Sequence, residues 1–372
     1  MENGKIKVLE VLHGLAHGGI ESFVMSITEN IDTDKFMVDY ALATDFPQFH
    51  EDRVRADGNR IFKTKNLGSI KDNWLHFIRL VKLIRKEKYD VVHTHVDFFN
   101  GVNLLAAWLG GAKIRICHSH AAGSANGMSE TEGILTKSYH FFMKILIYIF
   151  STEKIGCSSA ANLWMYGSQK NTKVIYNAIN LKEFSRNRYN RQCCIEEYNI
   201  NTDFTQFGTV GRIVESKNPL FIAEVINEYS KINSKFHFHW ISDGRLKNQV
   251  EDILKIGGNL DKVTFWGVRN DVPKLLSVMD YFIFPSLWEG LGIATVEAQA
   301  MGLMCFVSEQ IPKEADLGGL KYLDFSLGSK KWAEIINKSV SNGIQASINT
   351  QKLQKYDVCN MIKEIEKIYI GK

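Results

Sequence analysis

The sequence predicts an α/β protein with two domains, each built on a parallel sheet covered by helices. Short runs of β-branched and aromatic residues alternate with longer segments of helical periodicity along almost the whole chain, which is typical of a parallel sheet with helices on its faces. The alternation breaks once, in a polar segment near the middle. Since 372 residues exceed what one hydrophobic core usually serves, we expect two domains of ordinary size.

The first half contains four clear strand signals separated by helical ones. The strand KVLEVLHG is followed by the helix ESFVMSITENI and the strand MVDYALAT. The amphipathic helix HFIRLVKLIRKEK leads to the strand YDVVHTH, and the helix VNLLAAWLGG leads to the strand KIRICHSH. The apolar segment Tyr139 to Phe150 is shorter than the roughly 20 residues that span a bilayer. It predicts either a buried helix or one lying on a membrane surface. We assign residues 1–178 to the N-terminal domain.

The second half resumes the same rhythm after a polar, irregular stretch from Asn177 to Asn201, in which we place a linker at residues 177–195. The predicted elements are the strand TQFGTVGRI, the helix PLFIAEVINEYSKI, the strands FHFHWISDG, KVTFWG and YFIFPS, a helix around ATVEAQAMG and the strand MCFVSE. We assign residues 195–350 to the C-terminal domain. The amphipathic stretch DVCNMIKEIEKIYI predicts a closing helix within residues 351–372, which we expect to cross back to the N-terminal domain.

Composition and charge argue against several classes of function. The net charge is only +4 and no Lys/Arg-rich block with interleaved aromatic residues occurs, so the chain does not have the features of a nucleic-acid-binding protein. Six cysteines form neither a CxxC pair nor a Cys/His ladder, which disfavours a zinc site and a disulfide scaffold. A reduced cytoplasmic environment fits this cysteine usage best.

Adjacent glycines mark the turn after the first predicted strand, in the segment HGLAHGGIE. Gly18 and Gly19 would let a ligand approach the backbone closely, and the helix that follows offers its N-terminal N–H groups to an anion. The spacing is not that of the GxGxxG dinucleotide motif. A tight strand-to-helix turn without a ligand is the alternative interpretation.

Two cations follow the first strand of the second half, in the segment VGRIVESKNP. Arg212 and Lys217 would lie at the carboxyl end of that strand, where ligands of open α/β sheets bind. The guanidinium fork and the ammonium point charge suit a diphosphate. Two ordinary surface cations are the alternative.

Two carboxylates stand out in the small, apolar segment SLWEGLGIATVEAQAMG. Glu289 is predicted in a strand-to-helix turn with Gly290, Leu291 and Gly292, and Glu297 on the helix that follows. Eight helical residues would rise about 12 Å, roughly the distance between the two ends of a nucleotide-sugar. Carboxylates accept hydrogen bonds from hydroxyl groups, so the pair is suited to holding a sugar at one end and a ribose at the other. A pair of glutamates on a helix surface is the competing interpretation.

These features together resemble the retaining GT-B glycosyltransferases of family 4. The likeness rests on the spacing of Glu289 and Glu297, on the Gly18-Gly19 pair, on the two cations and on the two-half layout. The segments HTHVDFFNG and RICHSHAAG are similar to members that build bacterial capsule and exopolysaccharide. The resemblance covers essentially the full length. It implies two Rossmann-like domains whose parallel sheets face a central cleft.

The resemblance also implies roles for these residues. Glu289 would contact hydroxyl groups of the donor sugar, and Glu297 the ribose. Arg212 and Lys217 would bind the diphosphate and stabilise the charge on the departing nucleotide, and Gly19 would let the backbone close on the phosphates. We expect a front-side displacement rather than a covalent intermediate on Glu289.

A histidine near the donor sugar is a further feature of the family. His120, at the end of RICHSH, corresponds to it best. His118 and His95 remain alternatives, because strand alternation places residues 118 and 120 on the same face.

Backbone contacts to the nucleotide are implied at two further places. The loop after KVTFW, with Gly267 and Val268, corresponds to the segment that reads the base, and an ordinary turn is its alternative. Asp243, at the end of FHFHWISDG, would border the nucleotide pocket.

The expected partners are a nucleotide-sugar donor, with UDP favoured, and a saccharide or lipid-linked saccharide acceptor. No divalent metal is expected, because cations and helix N-termini meet the phosphate charge. Eleven Lys/Arg against three Asp/Glu between Arg53 and Lys88 indicate a solvated face or an attraction to the inner face of the cell membrane. The Gly/Ser/Asn-rich segment 121–136 would form a loop near the acceptor. A GT-B epimerase or phosphorylase and a non-catalytic sugar-nucleotide-binding component are the rival functions.

Overall fold

The computed structural model describes residues 4–16, 18–121 and 133–371, and it divides into two compact units. The first unit comprises residues Met1–Ala178 and Val358–Lys372, and the second comprises Ile179–Asp357. Most of the predicted loop at 121–136 therefore falls on residues 122–132, outside the described residues. Each unit is built on a parallel sheet, so the predicted fold class is confirmed.

The first unit contains a seven-stranded sheet whose strand order reverses between β1 and β4. The order is β3-β2-β1-β4-β5-β6-β7, and the central strands are buried on both faces, which explains their nearly continuous apolar sequences. The strands are β1 (Ile6–Leu12), β2 (Phe36–Leu42), β3 (Ile61–Lys63), β4 (Val91–Thr94), β5 (Ile114–Ser119), β6 (Glu153–Gly156) and β7 (Lys173–Val174).

Helices cover this sheet and bury their apolar faces against it. Phe23 and Val24 pack with Val8 and Leu12 in one core, and Leu80 packs with Val92 in another. The helices preceding the linker are α1 (Gly19–Asn30), α2 (Glu51–Ala56), α3 (Ile70–Glu87), α4 (Asn100–Gly110), α5 (Ile134–Phe150) and α6 (Ser159–Tyr166).

The helix α5 is not the buried helix that its composition allows. Only Met143 and Ile147 are buried, and they face the core of the unit. Its exposed large apolar side chains recur every three to four residues and therefore share one outward face, which we call the apolar stripe: Ile134, Leu135, Tyr139, Phe141, Phe142, Ile145, Tyr148 and Ile149. In the described part of the chain, no helix has the length and apolarity needed to cross a membrane.

The second unit contains a six-stranded parallel sheet with the order β10-β9-β8-β11-β12-β13. Its strand order reverses between β8 and β11, as in dinucleotide-binding sheets. Its strands are β8 (Thr205–Val210), β9 (Phe236–Ile241), β10 (Val263–Gly267), β11 (Tyr281–Phe284), β12 (Met304–Ser308) and β13 (Leu320–Leu323). Its helices are α7 (Arg191–Glu197), α8 (Pro219–Ser230), α9 (Lys247–Ile256), α10 (Val272–Val278), α11 (Ile293–Ala300), α12 (Gly328–Ser341) and α13 (Thr350–Leu353).

The segment predicted as a linker at 177–195 is mostly part of the second unit, which begins at Ile179 rather than at 195. Asn190 caps α7 by accepting hydrogen bonds from the N–H groups of Gln192 and Cys193. Arg191 donates to the carboxylate of Asp280, at 2.6 Å. Polar contacts of this kind order the segment although it lacks an apolar period.

The closing helix α14 (Val358–Ile370) is shorter than the predicted span of 351–372. The residues before it belong to the second unit, which extends to Asp357 rather than 350: the hydroxyl group of Tyr356 donates to the backbone oxygen of Glu314 at 2.5 Å. From Val358 onwards the chain belongs to the first unit, where Met361, Ile365 and Ile368 of α14 join its core.

Candidate active site

In the second unit, two loops leave the sheet at the point where the strand order reverses. Residues 211–218 follow β8 and residues 285–292 follow β11, so both loops lie at the carboxyl edge, where open α/β sheets bind ligands. The N–H group of Leu287 donates to the backbone oxygen of Ser216 at 2.8 Å. This bond joins the loop that carries the two predicted cations to the loop that carries the first predicted carboxylate.

Lys217 and Glu289 form an ion pair although 72 positions separate them in the sequence. Their side chains are 24% and 11% exposed, so the pair is shielded from much of the solvent and retains more of its Coulomb attraction than an open surface pair. The ammonium group also lies over the ring of Phe284, 5.1 Å from its centroid. The structure therefore brings these two predicted residues together.

The turn before α11 presents backbone N–H groups. Gly292 adopts a left-handed conformation with φ of 80°, which glycine tolerates without strain, and Leu291 is buried. No side chain in the described ranges caps α11. The N–H group of Thr295 donates to the backbone oxygen of Gly292 at 2.8 Å, so the first two N–H groups of α11 are the ones available to an anion. Gly290 is buried in the same turn.

Glu297 lies on α11, as predicted, in surroundings that disfavour its charge. The residue is half-buried, and desolvation raises the pKa of its carboxyl group to about 8. Only residues 293–297 of the Glu289–Glu297 segment are helical. The helical rise of eight residues therefore does not give the separation of the two carboxylates, because the first half of the segment is a turn.

The remaining predicted donor-side residues lie along the same carboxyl edge. Arg212 is exposed. Asp243, also exposed, accepts a hydrogen bond from Ile213 N–H on its backbone oxygen at 3.0 Å, which holds the end of β9 next to the loop after β8. The backbone oxygen of Gly267 accepts from the N–H group of Ser242 at 2.8 Å. Val268, the next residue along the chain, is exposed.

The predicted residues of the first unit lie at the carboxyl edge of its own sheet. Gly18 is the N-cap of α1 and Gly19 is its first residue. The side-chain amide of Asn177 donates to the backbone oxygen of Gly19 at 3.4 Å, and Asn177 also lies beside His120. The glycine turn and the predicted histidine are thus neighbours within this unit.

Four histidines, one glutamate and one tyrosine form a buried cluster, which we call the histidine cluster: Glu10, His93, His95, His118, His120 and Tyr369. All except His120, which is partly exposed, are buried. The ring of Phe23 packs edge-on against His118 and His120, with centroid distances of 4.7 and 5.4 Å. Of the three predicted candidates, only His120 reaches the surface.

Burial and proximity set the protonation states of the histidine cluster. Burial alone would raise the pKa of Glu10, but contacts with His93 and His95 lower it well below its ordinary value. Burial and the neighbouring His93 lower the pKa of His95 to about 4. Burial and the adjacent rings also lower the pKa of His120. At neutral pH the carboxylate is therefore ionised, and His95 and His120 are neutral.

The ring nitrogens of His93, His95 and His118 lie within 4.8 Å of one another, a spacing that a metal ion could bridge. Two of these nitrogens already lie 3.1 Å apart, in the contact between His93 and His118. His95 uses its Nε2 atom on Glu10, at 2.7 Å. Nitrogens engaged in this way form a hydrogen-bonded network, and we interpret the cluster as such.

Comparison with known families identifies both halves of the chain. A model described as "Glycosyltransferase Family 4" matches residues 17–183, and one described as "Glycosyl transferases group 1" matches residues 205–322. This chain is a family 4 glycosyltransferase.

Relatives of the glycosyltransferase extend over nearly its full length. It is 29% identical to EpsF of Bacillus subtilis (strain 168), over 92% of this chain and 90% of the relative. It is 26% identical to the Escherichia coli UDP-Gal:alpha-D-GlcNAc-diphosphoundecaprenol alpha-1,3-galactosyltransferase, over 98% and 95% of the two chains. The crystal structure of Anabaena Alr3699/HepE in complex with UDP and glucose superposes with a TM-score of 0.80 at 16% identity, over 99% and 100% of the two chains. The fold is therefore GT-B, and the enzyme is a hexosyltransferase-type glycosyltransferase of bacterial polysaccharide synthesis.

Residues of the glycosyltransferase that reasoning from sequence missed include Glu10, Asn177 and Tyr369. Glu10 had a signal: it is a lone carboxylate in the middle of the buried strand KVLEVL, and such a group needs a partner. Asn177 and Tyr369 had none, because an asparagine in a polar stretch and a tyrosine on an amphipathic helix are ordinary.

Proposed function

We propose that this glycosyltransferase moves a sugar from a nucleotide-sugar, with UDP as the favoured nucleotide, to a saccharide acceptor with retention of the anomeric configuration. The observation that carries the proposal is the carboxyl edge of the second unit. There a cation–carboxylate pair, an exposed guanidinium and an uncapped helix N-terminus follow the two strands at which the order reverses. The names of two relatives, which contain UDP-Gal and UDP with glucose, support the choice of nucleotide.

Each of these groups suits one part of such a donor. Lys217 and Arg212 would bind the diphosphate, and the N–H groups at the start of α11 would add further donors to its oxygens. Glu289 would accept hydrogen bonds from hydroxyl groups of the sugar, and Glu297 from those of the ribose. Since these groups supply positive charge and dipoles to the phosphates, we propose that transfer needs no divalent metal.

Retention is proposed to follow a front-side displacement. The bond between the anomeric carbon and the phosphate oxygen breaks while the bond to the acceptor oxygen forms on the same face. The proton of the acceptor hydroxyl passes to the departing phosphate, whose charge Lys217 and Arg212 stabilise. The ion pair with Lys217 supports an electrostatic role for Glu289, because a carboxylate held by an ammonium group is a weakened nucleophile.

The acceptor is proposed to be lipid-linked, with the enzyme at the inner face of the cell membrane. The apolar stripe of α5 is exposed over four turns of helix, and exposed apolar area of this extent indicates a binding surface. Lys144, Lys154 and Lys170 line a cavity of about 320 Å³ next to the C-terminal half of α5. Lys154 lies over the ring of Tyr148, 4.9 Å from its centroid. Cations beside an apolar face suit an anionic membrane.

Transfer is tested with the purified enzyme, a panel of UDP-sugars and a lipid-diphosphate saccharide, by measuring released UDP and the anomeric configuration of the product by NMR. Replacing Glu289 with Gln should lower kcat about 100-fold or more without changing the thermal unfolding midpoint by much. The matched control is Glu334→Gln, which removes a glutamate paired with Lys331 at 2.8 Å on the surface of the same unit. Full activity of Glu289→Gln, or an inverted product, would refute the proposal.

Membrane contact is tested by flotation with vesicles of phosphatidylglycerol and, separately, of phosphatidylcholine. The enzyme should float with the anionic vesicles, and Phe141→Ser with Tyr148→Ser should abolish this. The control is Ile256→Ser, which removes an even more exposed apolar side chain on α9, in the second unit. Equal flotation of the double variant and the control would exclude the apolar stripe as the contact.

A further inference from the structure

A continuous hydrogen-bonded chain runs from a buried carboxylate to the partly exposed histidine of the first unit. Glu10 lies in β1 and is fully buried. Its Oε2 atom lies 2.7 Å from Nε2 of His95, and Nδ1 of His95 lies 2.8 Å from Nε2 of His120. The other carboxylate oxygen, Oε1, accepts a hydrogen bond from the hydroxyl group of Tyr369 at 2.6 Å. Tyr369 belongs to α14, so the last helix of the chain holds the first link of this network.

Donor and acceptor roles follow from the carboxylate outwards. An ionised carboxylate only accepts hydrogen bonds, and a neutral imidazole has one donor and one acceptor nitrogen. His95 therefore donates from Nε2–H to Glu10, and its Nδ1 atom must accept. His120 then donates from Nε2–H to His95, and its own Nδ1 atom is left with a lone pair. The charge on Glu10 thus determines the tautomer of a histidine two hydrogen bonds away.

The outer end of this hydrogen-bonded network, at His120, meets no hydrogen-bond donor among the described residues. Nδ1 of His120 and Oδ1 of Asn177 are both buried and form no hydrogen bond of good geometry, although the two side chains are close enough to interact. Asn177 lies beside His120, and its amide nitrogen faces the backbone oxygen of Gly19. If the side-chain amide of Asn177 were flipped, its oxygen would face the backbone oxygen of Gly19, and two acceptors would lie against each other. Two neighbouring acceptors therefore remain without a donor, and buried polar groups in this state are unfavourable.

We propose that Glu10, through His95, holds His120 in the tautomer with its proton on Nε2, so that Nδ1 of His120 and the side-chain oxygen of Asn177 accept hydrogen bonds from hydroxyl groups of the sugar substrate. Glu10 and His95 are positioning residues, because they act through His120. The substrate class rests on the proposed function, whereas the tautomer does not. In this arrangement His120 binds substrate as a hydrogen-bond acceptor and does not deliver a proton.

The tautomer is measured on the wild-type enzyme by long-range 1H–15N correlation of ¹⁵N-histidine-labelled protein near neutral pH, with assignment by the loss of one ring system in His120→Gln. Both His95 and His120 should show a protonated Nε2 and an unprotonated Nδ1. A ring of His120 protonated on Nδ1, or on both nitrogens, overturns the proposal. Bound metal at the histidine cluster, detected by elemental analysis of the purified protein, also overturns it.

The link to turnover is measured with Glu10→Gln and with Tyr369→Phe as its matched control. The glutamine presents one acceptor and one donor where the carboxylate presents two acceptors, so one of its two partners must reverse its hydrogen bond. We expect a fraction of His120 to shift its proton to Nδ1 and kcat to fall about 10-fold or more, with KM for the donor less affected. Tyr369→Phe removes the hydroxyl group that donates to the same carboxylate but leaves the hydrogen bond between Glu10 and His95. This variant should therefore keep the tautomer of His120.

The outcomes separate this inference from the proposed function. If no sugar is transferred by the wild-type enzyme but the spectra show the expected tautomers, the proposed function fails and the tautomer assignment stands. If transfer is observed while Glu10→Gln keeps both kcat and the tautomer of His120, the role of Glu10 is overturned. If Glu10→Gln does not fold, the wild-type spectra still decide the tautomer, and a comparison of His120→Asn with His120→Gln decides its use. Asparagine can place an oxygen acceptor near the position of Nδ1, so it should retain more activity than glutamine, and equal activities overturn the acceptor role.

Discussion

Replacing Glu297 with glutamine should stabilise the second unit at neutral and alkaline pH. Desolvation raises the pKa of Glu297 from 4.5 to about 8 in the folded protein, so the unfolded chain loses this proton near pH 4.5 and the folded chain keeps it to about pH 8. Between these values the unfolded state binds fewer protons, and the free energy of unfolding therefore falls as the pH rises. Glutamine has no proton to lose, so the variant lacks this fall.

The size of the effect follows from the same two pKa values. Their difference corresponds to roughly 5 kcal/mol above pH 8, and to about 3.4 kcal/mol at pH 7, since each pH unit is worth about 1.36 kcal/mol. Glu297 is only half-buried, and water that reaches the side chain weakens desolvation, so we expect about 1–3 kcal/mol.

The assay is urea unfolding near pH 5 and near pH 8, followed by tryptophan fluorescence, since Trp240 and Trp332 lie in the core of the second unit. The wild type should lose stability relative to Glu297→Gln as the pH rises, and Glu334→Gln should behave as the wild type. The same substitution should raise KM for the nucleotide-sugar, because the amide offers fewer acceptor sites to the ribose. Parallel pH profiles of the wild type and Glu297→Gln would refute the reasoning.

Further predictions concern charge, packing and pH. Lys217→Met should lower kcat about 100-fold or more in steady-state assays of UDP release, whereas excess EDTA should leave the wild-type rate unchanged; a rate restored by added divalent metal would contradict this. Gly244→Ala would place a Cβ atom 2.4 Å from the backbone oxygen of Ile213 and should destabilise by about 2–4 kcal/mol in thermal unfolding. Gly133→Ala, whose Cβ atom would meet no atom of the described residues within 4 Å, should not. The pKa of His95, lowered to about 4, means that the stability due to its neutral form is complete above pH 6.5 and is lost as the pH falls towards 4. Calorimetry should therefore show that the free energy of unfolding of the first unit falls by about 2 kcal/mol between pH 7 and pH 5. The fall should be smaller in His95→Gln.

The sheets could be predicted where strands are buried on both faces, because such strands appear as apolar runs. β1, β4, β8 and β11 are of this kind, and they are also the strands that define both reversal points. The short strands β6 and β7 gave no signal: β6 begins with two half-exposed charged residues, and β7 consists of two exposed residues. Their pairing depends on neighbouring strands, which local sequence does not contain.

The candidate site could be predicted only as separate residues at strand ends. Parallel topology brings all carboxyl ends to one edge, so Arg212, Lys217 and Glu289 could be expected on the same edge without a structure. That Lys217 pairs with Glu289 could not, since 72 positions separate them. The contact between Glu10 and Tyr369 joins residues 359 positions apart and depends on the return of α14 to the first unit.

Polar groups that are desolvated or left without a donor occur at the carboxyl edges of both units, and this is costly unless a ligand uses them. The pKa of Glu297 is raised by burial, and both Nδ1 of His120 and Oδ1 of Asn177 are buried without a donor. All three are acceptors when a hydroxyl-rich molecule approaches, and a sugar or ribose supplies the missing donors. Binding of such a ligand therefore removes a penalty already present in the free protein, so ligand and fold should stabilise each other. On this reasoning Glu297→Gln and His120→Gln should each reduce the rise in unfolding temperature that a UDP-sugar produces, while neither lowers the unfolding temperature of the free protein.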